Sequence, residues 1–141
     1  MDKDIDYIGE KNWKYSELGT MTGWEARKYY LWFLEQIDKR IQYLQEYLKE
    51  NNVNCNLDYS EESLNKLWIW YRGCRRYIKR SEDELEKAKK YYPEKFEKYI
   101  PKYKLSNTSA EIAMDIGIYF GETFIHNYKQ LKWEYVKTRK N

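Results

Sequence analysis

The chain has 141 residues, 42% of them hydrophobic and 35% charged, and its 26 basic and 23 acidic side chains leave a net charge of +3. That length fits one domain with a sizeable core, and so small a surplus disfavours a dedicated nucleic-acid binder, whose basic excess is larger and clustered. A mean hydropathy of −1.04 would suit disorder, yet 16 Tyr and 6 Trp carry apolar area that hydropathy scales undervalue; the chain is expected to fold.

Residues 1–21 read as an arm. Ile5 and Tyr7 suit a short strand or turn, and Trp13, Tyr15 and Leu18 are its anchors. The opening Met1-Asp2-Lys3-Asp4 is unlike a secretory or lipidation signal. No apolar run reaches the roughly 18 residues that span a bilayer. Cys55 and Cys74 lack CxxC spacing, which places the chain in the cytoplasm with reduced thiols. Thr22, with Glu25 in capping-box register, opens a long helix. Its core stripe is Leu31, Leu34, Ile37, Ile41, Leu44 and Leu48, with Tyr29, Trp32, Tyr43 and Tyr47 beside it, and Asn51-Asn52 ends it. Ser60, followed by Glu61 and Glu62, opens a second helix. It turns Leu64, Leu67, Trp68, Tyr71, Cys74 and Ile78 inward, Cys74 acting as a small buried hydrophobe. Ser81 and Glu84 cap a third helix over 81–92, and Pro93 opens a short one closed by Pro101 and docked by Tyr99 and Ile100.

The least charged long stretch, 108–127, is the expected central helix, capped by Thr108 and Glu111. Ile112, Ile116, Tyr119, Phe120 and Phe124 share its broad inward face. Gly117 and Gly121 each cost about 1 kcal/mol against alanine in a helix. Close approach of a neighbouring segment explains them, with a homo-oligomer seam as the alternative. The alternation at 131–136 predicts a strand, its partner sought near Tyr7, before a basic tail at 137–141. The fold class is therefore all-α: a predominantly helical single domain, two long helices around a central glycine-containing helix, with a short β element at the termini.

Four polar residues, Asp115, Tyr119, Glu122 and His126, fall along one side of the central helix. Glu122 and His126 offer two metal ligands, but with a single histidine in the chain a structural stripe bonded to Tyr, Trp or Arg is the better reading. The run Arg72, Arg75, Arg76, Lys79 and Arg80, interleaved with Tyr71 and Tyr77, suits phosphates and unpaired bases, or a solvated face answered by Glu82, Asp83, Glu84 and Glu86. Trp24, Trp32 and Trp70 are candidate partner anchors, and the acids Glu82, Asp83 and Glu84 a candidate contact for a basic surface. Phosphate-loop, GxSxG and HExxH motifs are missing, so neither an enzyme nor a cofactor is expected.

Three blocks carry a resemblance: Tyr30-Leu31-Trp32-Phe33 with Arg40 and Leu44, LDYSEESLNKLWIWY at 57–71, and DIGIYFGETFIHNYKQLKWEYV at 115–136. Together they resemble a set of small, mostly helical proteins of low-GC Gram-positive bacteria, of the toxin-immunity-protein type. The resemblance implies a cytoplasmic protein that binds and neutralises a toxin. Members of that set continue past the tryptophan-containing strand, which implies a chain shortened at Asn141. Two further readings stand beside it: a nucleic-acid-associated regulator using the 72–80 face, and a phage-type inhibitor of a host defence complex. Inhibitors that plug nuclease clefts are strongly acidic, so a slightly basic chain implies another kind of target, or binding away from the nucleic-acid groove.

Overall fold

The computed structural model describes residues 22–136; the arm at 1–21, with Tyr7, Trp13, Tyr15 and Leu18, and the tail at 137–141 lie outside the described residues. Helix α1 (Gly23–Glu50) starts where the Thr22 hydroxyl accepts the Glu25 N–H at 3.2 Å. It ends where Asn51 turns both its backbone and side-chain N–H groups onto the Tyr47 carbonyl. Helix α2 (Glu61–Cys74) is capped by Ser60, whose hydroxyl accepts the Ser63 N–H at 3.1 Å. Strand β1 (Tyr77–Lys79) follows, then α3 (Glu82–Lys89), a 3-10 helix (Glu94–Tyr99), strand β2 (Tyr103–Leu105) and α4 (Asn107–Asn127). The protein is predominantly helical, with α4 packed against both α1 and α2.

The core is small and central. Ile37, Ile41, Leu44 and Leu48 of α1 meet Leu67 and Tyr71 of α2 and Ile112, Ile118 and Tyr119 of α4, with Cys55 and Leu57 sealing one edge from the intervening loop. Helices α2 and α4 run antiparallel, because Ser63 meets Tyr119 at one end while the Tyr71 hydroxyl donates to the Ser109 carbonyl at the other. The 28 residues of α1 span roughly 42 Å, and its buried residues begin only at Gln36. Before that point Phe33 packs on the edge of the core, and Tyr30 and Phe33 are met by Tyr135 and Trp133. Leu31 and Leu34, expected in the core stripe, sit about 160° and 100° around the helix from Phe33 and are exposed.

The second helix stops earlier than its pattern implies. Arg75 is already extended, and Tyr77, Ile78 and Lys79 pair antiparallel with Leu105, Lys104 and Tyr103. This contact, distant in sequence, outweighs local helix propensity in a segment weakened by Gly73 and rich in strand formers. Ile78 is consequently exposed on a strand, and the β element is internal rather than terminal. The strand pair is fastened to α4: the Arg76 N–H donates to Ser109 Oγ and the Arg76 carbonyl accepts the Ser106 N–H, both at 2.9 Å. Helix α3 has the expected capping box of Ser81 and Glu84 but is shorter than 81–92. Ile100 docks the 3-10 helix as expected; Tyr99 is exposed.

Several expectations for α4 are corrected. Its cap is Ser106, which accepts the Ser109 N–H at 3.2 Å, so Thr108 lies inside the first turn and is buried. Ile112 and Tyr119 are buried, but Phe120 and Phe124 are 53% and 38% exposed. Gly121 has the close neighbour foreseen, since a Cβ there would sit 2.5 Å from the Trp133 ring; at Gly117 it would meet nothing within 4 Å among the described residues. Residues 131–136 pair with no strand among the described residues. They run irregularly back along the bundle, with the Trp133 ring edge-on to Phe33 and Tyr135 against Tyr30.

Candidate functional site

Each member of the polar stripe on α4 has a structural partner. Asp115 is fully buried and receives Arg40 Nε and Nη2 in a bidentate pair, both at 2.7 Å. The Tyr119 hydroxyl is shared with Ser63 Oγ and accepts the Tyr59 N–H at 2.9 Å. Glu122 accepts the Trp133 indole N–H at 2.7 Å through one oxygen, while the other lies 3.7 Å from His126 Nε2. The imidazole stacks on Tyr59, centroids 3.7 Å apart and planes 8° from parallel. Among the described residues no three His, Cys, Asp or Glu side chains converge.

Tyr59 is a functional-looking residue that sequence reading missed. Its φ of +62° is the left-handed conformation that a bulky side chain rarely adopts. Three contacts hold it there: its N–H donates to Tyr119, its carbonyl accepts Asn127 Nδ2 at 2.8 Å, and its ring lies on His126. Burial pushes its phenol pKa up, and the negative charges of Glu122 and Asp38 add to that. No sequence signal marks it, because tyrosine is not a left-handed former.

The basic run is divided among three elements. Arg72 is exposed on α2, Arg75 and Arg76 form the turn, and Lys79 and Arg80 belong to the strand and its end. Trp70, Arg75 and Arg76 are brought together around a hollow of about 340 Å³ where the ends of α1 and α2 meet the first turn of α4. Trp70 itself is half-buried, in an edge contact with Tyr47 at 6.1 Å. On the adjoining strand pair, Tyr77 and Tyr103 are both exposed, and the Arg75 guanidinium lies 5.6 Å from the Tyr77 ring centre. The sequence reading used Tyr77 but not Tyr103, whose relevance depends on the strand register.

The acidic candidates are spread along α3. Asp83 pairs with Lys87 on its own helix, Glu84 reaches Lys104 Nζ at 2.6 Å and so ties α3 to β2, and Glu82 is exposed. The Lys104 ammonium, aided by the Ser81 N–H, holds the Glu84 carboxyl below its usual range. The expectation that Cys74 is a small buried hydrophobe is corrected. Cys55, in the loop, is buried and donates to the Ser63 carbonyl, whereas Cys74 is exposed because α2 ends there. Burial raises the Cys55 thiol pKa, and partial desolvation beside the end of α2 raises that of Cys74.

Two apolar surfaces remain. On the first half of α1, Trp24 is 67% exposed with the Lys28 ammonium 3.7 Å above its ring, and Leu31 and Leu34 continue the same flank; Trp32 is half-buried against Tyr29. On α4, Phe120, Phe124 and Tyr128 form a ladder with ring spacings of 4.8 and 6.0 Å. Its four-residue repeat was readable in the sequence, had the helix been assigned the right rotation. No helix among the described residues is long and apolar enough to cross a membrane. No protein-family model matches the chain, and no curated protein or solved structure is significantly similar to it.

Proposed function

We propose that this protein is a non-enzymatic inhibitor of the immunity type, acting in the cytoplasm by binding and neutralising another protein. The observation that carries this reading is the outer flank of the first half of α1. Trp24, Leu31 and Leu34 are exposed along it, on the side away from the core-packed Phe33. A tryptophan flanked by aliphatic side chains and rimmed by Arg27, Lys28 and Glu35 has the make-up of an interface hot spot with a polar rim. The slight positive charge of the chain favours a target surface other than a nuclease's phosphate-binding groove. A tagged full chain and its Trp24→Ala/Leu31→Ser variant, each used for affinity capture from the native lysate in moderate salt, test the reading. It is supported if one protein co-purifies stoichiometrically with the wild type only, and if co-expression of that protein is tolerated only with the wild type. Equal capture by both chains, or capture of nucleic acid alone, rejects it.

A second reading, a nucleic-acid-associated regulator, is favoured by the strand pair. Tyr77, Lys79 and Tyr103 share one face of β1 and β2 by the strand register, with Arg75 beside Tyr77. Exposed tyrosines on a basic strand pair make a stacking platform for unpaired bases. Binding of a labelled single strand that falls steeply with salt, and is lost in Arg75→Gln/Tyr77→Ala, would favour it.

A further inference from the structure

On α4, Ala113, Gly117, Phe120 and Phe124 occupy one flank of the helix at i, i+4, i+7 and i+11 spacing, and the C-cap residue Tyr128 extends it, its ring 6.0 Å from that of Phe124. Leu64 of α2 shares a hollow with Phe124 and Tyr128, and Trp68 lies one turn further along the same side of α2. The rings are half in water: Phe120 is 53% exposed, Phe124 38%, Tyr128 47% and Trp68 47%. Within this flank Gly117 has no structural reason among the described residues, where a Cβ would meet nothing within 4 Å. Gly121, four residues on, has one in Trp133.

We infer that this flank is the seam of a homodimer, in which two α4 helices cross antiparallel with the Phe124 ring of each copy seated over Gly117 of the other. Three observations select a second copy as the occupant. First, the five positions on the α4 flank carry no Lys, Arg, Asp or Glu. An identical flank therefore brings no like charges together at these five positions in an isologous contact, Glu61 being the acid that lines the adjoining hollow. Second, helix glycine is explained by close approach of another backbone, and an antiparallel axis between Phe120 and Gly121 places Gly117 opposite Phe124 by count. Third, the area fits. Four aromatics of about 150–250 Å² each, roughly half exposed, supply ~400 Å² per copy. With Leu64, Ala113, Leu131 and the backbone around Gly117 the two copies together reach ~1,000 Å², the lower bound for a specific interface. The dimer is therefore weak, dissociating in the range of ~10–100 µM. The α1 stripe lies on a different element, so this inference and the proposed inhibitor function stand or fall separately.

Sedimentation equilibrium of the full chain from roughly 1 to 500 µM tests it. The expected result is a mass rising from one chain toward two and levelling there. Gly117→Leu, whose side chain enters open space in the monomer, and Phe124→Ser should each weaken association at least tenfold with unchanged helical circular dichroism. A wild type that stays at one chain throughout overturns the seam. So does association that both variants retain, or a mass that climbs past two chains without levelling.

Discussion

Removing one member of the Arg40–Asp115 pair should be the most damaging single change in the protein. Arg40 is 2% exposed and Asp115 0%, and the two 2.7 Å bonds join α1 to α4 across 75 residues of sequence. Asp115→Ala leaves a guanidinium buried without its counter-charge. Breaking a buried pair from one side costs about 3–5 kcal/mol, against a total stability of about 5–15 kcal/mol for a domain. At least about a fifth of the stability is therefore lost, and in a marginal domain all of it. The pair as a whole contributes far less than this, because both ions were desolvated to form it. The double change Arg40→Met/Asp115→Leu should recover at least half of the loss. Urea denaturation followed by tryptophan fluorescence measures each step, and the double-mutant cycle isolates the coupling. An Asp115→Ala variant destabilised by less than ~1 kcal/mol would refute the reasoning. A double variant no more stable than the single one would do the same.

The two central glycines should respond with opposite signs at concentrations where the chain is monomeric. Gly117→Ala should stabilise by about 0.5–1 kcal/mol through helix propensity, and Gly121→Ala should destabilise by about 1–3 kcal/mol through displacement of Trp133, both read from thermal melts. The Glu84–Lys104 tie should weaken on acidification. A carboxyl held below its unfolded pKa contributes fully above that value and loses its contribution as pH falls through the folded one. Amide exchange in β2 and α3 between pH ~6 and ~3 should show this, and Glu84→Gln should flatten it. Iodoacetamide on the native chain should modify Cys74 and spare Cys55. Both thiols are raised by desolvation, so Cys74 should react slowly at neutral pH and faster above the usual thiol range; mass spectrometry counts the adducts.

Short-range features were legible in the sequence, and long-range ones were not. The Thr22, Ser60 and Ser81 caps sit within three residues of the amides they bind, so local pattern suffices to find them. The end of α2 was missed because it depends on residues 103–105, which no local window around Cys74 contains. Cys74 and Ile78 were then assigned to a buried helical stripe that does not extend that far. The Gly121 contact was foreseen as a close approach, but its partner, Trp133, was assigned to a strand. Among the candidate residues, Glu122 and Asp115 were expected to bond Trp or Arg side chains and do so. The exposed ladder was hidden by the opposite expectation, that Phe120 and Phe124 face inward.

That last error identifies what sets the rotation of α4. Apolar periodicity alone would turn Phe120 and Phe124 into the core. The observed helix instead turns in Asp115, Tyr119 and Thr123, each satisfied: Asp115 by Arg40, Tyr119 by Ser63 and Tyr59, and Thr123 by the Tyr119 carbonyl at 2.8 Å. Rotating the helix by one residue position, about 100°, would bury the exposed parts of two half-buried phenyl rings, about 1.5–3 kcal/mol for the two together. It would also strand a carboxylate, a guanidinium and a phenol, with the charged pair alone costing about 3–5 kcal/mol when broken. The polar contacts win, and aromatic surface is left outside. The same accounting explains why the apolar replacement Arg40→Met/Asp115→Leu has a second expected effect. With the polar lock gone, α4 is free to turn its phenyl rings inward, and self-association of the folded variant at high concentration should fall together with exposure of the ladder.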